Sequence, residues 1–113
     1  MAFLSVTIDD APQGVVVHLD GQANTETCHQ MQLALMRLIA RRTSMAVLDL
    51  ARLTFLTSLA MGMLVSLRRD MARWGGQVRI AAATPEVYES LQVSRLTDLF
   101  EFFESVDAAT AQK

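Results

Sequence analysis

Apolar and polar residues alternate over residues 3–8, the pattern of a half-exposed strand, and Asp9-Asp10-Ala11-Pro12-Gln13-Gly14 supplies turn residues that end it. Residues 15–19 read as a second strand, followed by a loop over Asp20-Gly21-Gln22-Ala23-Asn24. Asn24 or Thr25 then caps a helix whose apolar positions Met31, Leu35, Leu38 and Ile39 recur at helical spacing and which closes near Arg41. Residues 45–50 form a short apolar run broken by one carboxylate, as in a central strand covered on both faces. A loop containing Phe55 follows. Over residues 58–74 the stripe Ala60, Leu64, Leu67, Met71 and Trp74 predicts a helix, with Arg69, Asp70 and Arg73 on other faces and Gly75-Gly76 as its stop. Residues 78–82 are the next strand. Thr84-Pro85-Glu86 opens a further helix through Val87 and Leu91, with a short turn around Leu96 and Leu99. A last strand over 100–103 and a terminal helix over 107–111, fraying into Gln112-Lys113, complete the pattern.

Strands alternating with helices predict an α/β fold: a single small domain with a mixed, mostly parallel sheet of four to five strands and right-handed crossover helices. Nothing repeats, and no Pro/Ser/Gly-rich linker divides residues 1–113, so the chain reads as one unit with a core of about residues 3–106 and a tail over 107–113.

Composition narrows the class. At 113 residues, 51% hydrophobic and 19% charged, the chain lies in the globular range. Its longest uncharged stretch, residues 53–67, is too short to span a bilayer. The start Met-Ala-Phe-Leu-Ser lacks the regions of a signal peptide, and one cysteine, Cys28, forms no internal disulfide; both predict a reducing cytoplasm. The net charge of −2 predicts neither nucleic-acid binding nor membrane insertion. Its distribution is uneven: all eight arginines between residues 37 and 79 sit between two acidic segments. That allows a basic face for an acidic protein, although Arg41 and Arg42 are accounted for as ordinary charges at a helix C-terminus, and the latter reading is preferred. The oligomeric state is not set by anything in the sequence.

Catalytic inventory is thin. There is no HExxH, CxxC, GxxxxGK[ST] or GxGxxG pattern, and Ser58 lacks the GxSxG elbow. His18 falls in a strand, while Cys28 and His29 are helix neighbours pointing about 100° apart, which is poor geometry for a nucleophile and its base. The expectation is a non-enzymatic protein without cofactor or metal.

One junction stands out. Leu48-Asp49-Leu50, Phe55 and Thr57-Ser58-Leu59-Ala60-Met61-Gly62 join the most strand-like run to the most helix-like one. With Val17-His18-Leu19-Asp20-Gly21, Gly75-Gly76 and Thr84-Pro85, this order resembles the STAS family, and within it the small bacterial anti-sigma-factor antagonists. The resemblance implies a STAS-like fold and a partner switch. An anti-sigma factor that is also a serine kinase would bind the unmodified chain and release it once Ser58 is phosphorylated, with Asn24, Thr57, Ser58, Leu59, Met61 and Gly62 forming the partner-binding surface. The chain departs from the family pattern. Thr57 replaces an acid, Leu59 a small polar residue, Ala60 a glycine, and Asn24 an aspartate of the first loop. Thr57 is therefore an alternative acceptor, and an unswitched STAS adaptor subunit of a signalling or transport complex is an alternative function. A small-molecule or nucleotide-binding α/β module is a third reading, disfavoured by the missing phosphate loop.

The residues themselves leave Ser58 two roles, phosphate acceptor or simple N-cap with its Oγ on a backbone N–H. A helix N-terminus offers unpaired N–H groups and the positive end of the dipole, so a phosphate is compatible with the fold there. Leu59, Met61, Met63 and Val65 lie beside the main stripe of their helix, either as an apolar interaction face or under a second layer of core. Arg52, Arg68, Arg69 and Arg73 are read as solvated charge rather than as flanks of the site.

Overall fold

The computed structural model describes residues 3–111. One sheet contains five strands in chain order: β1 (Leu4–Ala11), β2 (Gly14–Ala23), β3 (Met45–Leu56), β4 (Gln77–Ala81) and β5 (Glu101–Phe103). β1 and β2 are antiparallel; the remaining neighbours are parallel. Parallel pairs need crossovers, supplied by α1 (Cys28–Arg41), α2 (Ser58–Ala72), and α3 (Pro85–Val93) with a 3-10 turn (Thr97–Leu99). Because each crossover is right-handed and steps the same way across the sheet, all three helices fall on one face. Met31 and Leu38 of α1, Leu64 and Leu67 of α2, and Val87 and Leu91 of α3 share one core with Val17, Leu48 and Ile80 of the sheet. The α/β class, the element order and the largely parallel sheet are as the sequence predicts.

The opposite face is covered only in part. A terminal helix, α4 (Val106–Ala111), lays Ala109 against Val16, Val47 and Ala81. Residues 107–111, read from sequence as tail, are thus docked on the sheet, and the fraying expected at Gln112-Lys113 lies outside the described residues. Arg79 of β4 holds this helix: the side chain is 4% exposed, Nη1 donates to the Ala109 carbonyl at 2.7 Å, and the guanidinium stacks 5.3 Å from the Phe103 ring centroid. Losing a buried charged hydrogen bond leaves the carbonyl of Ala109 unsatisfied. Arg79→Ala is expected to raise amide exchange across α4 by about tenfold, equivalent to ~1.4 kcal/mol of local stability, while α2 amides stay as they were. Unchanged α4 exchange would show that apolar packing alone holds the helix.

Four boundaries differ from the sequence pattern. The first turn is only Pro12-Gln13, because Asp9 and Asp10 pair with Val16 and Val15 in the hairpin. β1 is an edge strand, and its acids find partners there: Asp10 pairs with Arg41, and Asp9 Oδ2 lies 3.1 Å from His18 Nε2. β2 continues through the expected loop to Ala23, and β3 through Phe55 to Leu56. Their pairing survives two irregularities, each inserting an extra β3 residue: His18 and Asp20 sit opposite Asp49 and Arg52, and Gly21 and Gln22 opposite Leu53 and Phe55. As a result Leu50, Leu53 and Leu56 are all buried on the helical side at a spacing of three, which hides the strand from a search for period two. α2 also ends at Ala72 rather than Trp74, whose indole N–H instead donates to the Thr43 carbonyl at 2.9 Å.

Candidate functional site

β2 and β3 end side by side, Ala23 opposite Leu56, and the Thr57 amide donates to the Ala23 carbonyl at 2.9 Å. This brings the starts of α1 and α2 to one rim, at the carboxyl end of parallel strands where open α/β sheets present their binding loops.

On the α1 side, Asn24 shapes the chain through its side-chain oxygen. Its Oδ1 accepts from the amides of Glu26 at 3.0 Å and Thr27 at 3.2 Å. Buried Thr27 donates its hydroxyl to the Gln22 carbonyl at 2.7 Å. The helix consequently begins at Cys28, later than a cap at Asn24 or Thr25 would start it.

On the α2 side two adjacent hydroxyls have opposite fates. The chain leaves β3 extended, with Thr57 at φ −80° and ψ 166°, so the first helical residue is Ser58 and the N-cap is Thr57. This corrects the reading of Ser58 as cap. Thr57 Oγ1 accepts from the Ala60 amide and donates to the Ala23 carbonyl, both at 3.3 Å. Ser58 is exposed, and its hydroxyl has no hydrogen-bond partner among the described residues. The amides at the first two helical positions lack intrahelical acceptors and carry the positive end of the dipole toward it. Thr57→Val, which keeps the shape and removes the cap, is expected to lower stability by about 1 kcal/mol in denaturant titration, whereas Ser58→Ala stays within ~0.5 kcal/mol of the parent. Equal losses at the two positions would contradict this division.

A groove of about 540 Å³ runs from this rim between α1 and α2. Ser58 and Leu59 stand at its mouth, Gly62 and Met63 along one wall, and Met36 and Ile39 along the other. Leu59 is 50% exposed. Met61, expected on this surface, follows Ala60 into the core and is buried, while Met63 and Val65 are half-buried against the core. Of the expected set, the structure gathers Ser58, Leu59 and Gly62 on the groove, links Asn24 to Thr57 only through the Ala23 backbone, and removes Met61. Phe55 was missed. It is 52% exposed near the carboxyl end of β3, opposite Gln22, whose amide donates to the carbonyl of the likewise exposed Phe3. Its available signal was a large aromatic ring set between Thr54 and Thr57 just ahead of a helix start.

Arg69 and Arg73 approach Asp70, each at 3.8 Å, at the C-terminal end of α2, with Arg69 about 16 Å along the helix from Ser58. Arg68 is on that half too, and Arg52 sits opposite Asp20 on β3. On the uncovered part of the second sheet face His18 bridges two carboxylates, with Nδ1 2.7 Å from Asp49 Oδ2. Both ring nitrogens are thereby occupied by separate acids, and no group of three or more His, Cys, Asp or Glu side chains among the described residues is arranged to hold a metal ion. Cys28 donates its thiol to the Thr25 carbonyl at 3.2 Å. None of the described helices is long and apolar enough to cross a membrane.

Comparison with known proteins agrees with this architecture. The chain is 22% identical over 108 residues, 96% of its length and 93% of the other's, to BtrV of Bordetella bronchiseptica, whose name proposes it as an anti-sigma factor antagonist. The crystal structure of an anti-sigma factor antagonist from Mycobacterium paratuberculosis superposes with a TM-score of 0.87 at 21% identity, covering 96% of this chain and 93% of that one. The anti-sigma factor antagonist SpoIIAA superposes in its unphosphorylated form with a TM-score of 0.80 at 18% identity over 93% and 92% of the two chains. Its phosphorylated form, from Bacillus, gives 0.73 at 17% identity over 93% and 96%. Residues 4–109 match the STAS domain, and with nearly the whole length so matched, the chain belongs to the STAS family.

Proposed function

We propose that this chain is a cytoplasmic anti-sigma-factor antagonist whose binding to an anti-sigma serine kinase is switched by phosphorylation of Ser58. The observation that carries the reading is the contrast between neighbouring hydroxyls: Thr57 is tied into the helix cap, whereas Ser58 is exposed and unengaged at the first helical position. A kinase can reach Ser58 without dismantling any hydrogen bond. The exposed side chains of Leu59 and Phe55 beside it provide apolar contact area for the unmodified form.

Phosphorylation adds about −1.5 to −2 charges at this rim. The fold tolerates them, since amide dipoles of α2 point at the group. A docked partner does not, because burying that charge costs several kcal/mol unless cations meet it, and the arginines of α2 lie at its far end. Release therefore needs no conformational change.

The test is to incubate the protein with the candidate anti-sigma serine kinase of the same organism and ATP, then measure intact mass and map the product. One added phosphate on Ser58 is expected. Phosphate on Thr57 would overturn the assignment, and none at all would leave the unswitched adaptor as the better account.

A further inference from the structure

The groove between α1 and α2 is longer and more apolar than a phosphorylation site requires. It extends from Ser58 to Asp70 on α2, a rise of about 18 Å, or roughly three helical turns. Its apolar surface does not stop inside the concavity: Leu59 on one crest and Met36, 56% exposed, on the other carry it onto the outer rims. Methionines on the walls suit a surface that repacks around a guest.

Two features say what kind of guest fits. Gly62 stands on the wall, and a Cβ built there meets nothing within 4 Å. A mid-helix glycine costs about 0.5–1 kcal/mol relative to alanine, and none of the described residues fills the gap, which leaves room for a backbone approaching from outside. Asp70 lines the far end of the groove, and the exposed surface just beyond it carries arginines. Among the described residues Arg69 and Arg73, with side chains 68% and 73% exposed, have only the long 3.8 Å contacts to Asp70, and Arg42 stands over the neighbouring Trp74 ring. Three cations against one carboxylate favour an anionic group at that end and repel a cationic one.

We propose that this groove receives an amphipathic helix of the protein partner, apolar along one stripe and acidic at the end lying over Arg69 and Arg73. This rests on the reading that a partner protein docks beside Ser58. The apolar stripe packs along Leu59, Met63 and Met36, the helix backbone passes over Gly62, and a phosphate on Ser58 stands at the mouth through which the helix must lie.

The probe is a synthetic peptide of about 14 residues with leucines at helical spacing and glutamates in one terminal turn, titrated into the isotope-labelled full chain and followed by amide NMR. A matched peptide carries lysines in place of the glutamates. Expected are shifts at Leu59, Gly62, Met63 and Met36, about tenfold tighter binding of the acidic peptide, and reversal of that preference in the double variant Arg69→Glu, Arg73→Glu. Gly62→Leu is expected to block binding with no fall in melting temperature. Equal affinities, shifts elsewhere on the surface, or groove shifts produced by palmitate and by neither peptide would overturn the proposal. If the peptides fail while Ser58→Glu still abolishes binding of the whole partner, the groove is wrong and the switch stands; if the peptides bind and Ser58→Glu changes nothing, the switch is wrong and the groove stands.

Discussion

Ser58→Glu is expected to weaken binding of the anti-sigma partner at least about tenfold, or ~1.4 kcal/mol, with a melting temperature equal to or slightly above the parent's. The two halves of this expectation have one cause. A carboxylate at the first helical position meets the positive end of the α2 dipole and unpaired amides, an arrangement worth about 0.3–1 kcal/mol to the folded chain. The same charge must be desolvated when a partner covers the rim, and Arg69 and Arg73 lie at the far end of the helix, beside Asp70. Phosphoserine carries more charge and should act more strongly in the same direction. Calorimetric titration and thermal unfolding of Ser58→Ala, Ser58→Glu and Thr57→Val separate the contributions. Alanine at 58 keeps both stability and binding, glutamate keeps stability alone, and valine at 57 loses stability first. A glutamate variant that binds as well as the parent would remove regulation from this position. One that unfolds would show that the first turn of α2 does not accept an anion.

How legible this was in the sequence depended on whether local pattern and tertiary pairing agreed. α2 announced itself through its apolar stripe, and α3 because stripe and cap coincide: Thr84 accepts from the Val87 amide ahead of Pro85, as its position implies. The continuations of β2 and β3 did not. Asp20-Gly21-Gln22 has turn composition, and the insertions opposite β2 change the burial period of β3, so the pairing that makes these residues strands is visible only in three dimensions. The site followed the same division. Its location at the Ser58 junction was readable, but which hydroxyl caps depends on where helical dihedrals begin, a boundary that shifts by one residue without altering composition. The burial of Met61 likewise depends on how α2 seats against the sheet, and Phe55 had no assigned role while its strand was hidden.

The largest stability loss is expected from Gly21→Ala, at ~3 kcal/mol or more, which for a domain of this size lowers the melting temperature by roughly 10–20 °C. Gly21 has φ +117°, a conformation costly for any residue with a side chain. Space is lacking as well as conformational freedom: its added Cβ would lie 2.1 Å from the Phe3 carbonyl oxygen, a backbone atom. That oxygen is the acceptor for the Gln22 amide at 2.7 Å, so relieving the clash pulls the start of β1 off the sheet. Gly62→Ala is the internal contrast, because there the new methyl meets open space in a helix and the variant should gain up to about 1 kcal/mol. The two substitutions add the same atoms, so opposite signs in denaturant titration isolate the backbone environment as the cause. The loss at Gly21 should also reach the rim, since Gln22 and Ala23, the next two residues, hold Phe55 and Thr57 in place. Partner affinity in Gly21→Ala is then expected to fall even at temperatures where the chain remains folded. Retained affinity would mean that the ends of β2 and β3 keep their register without β1.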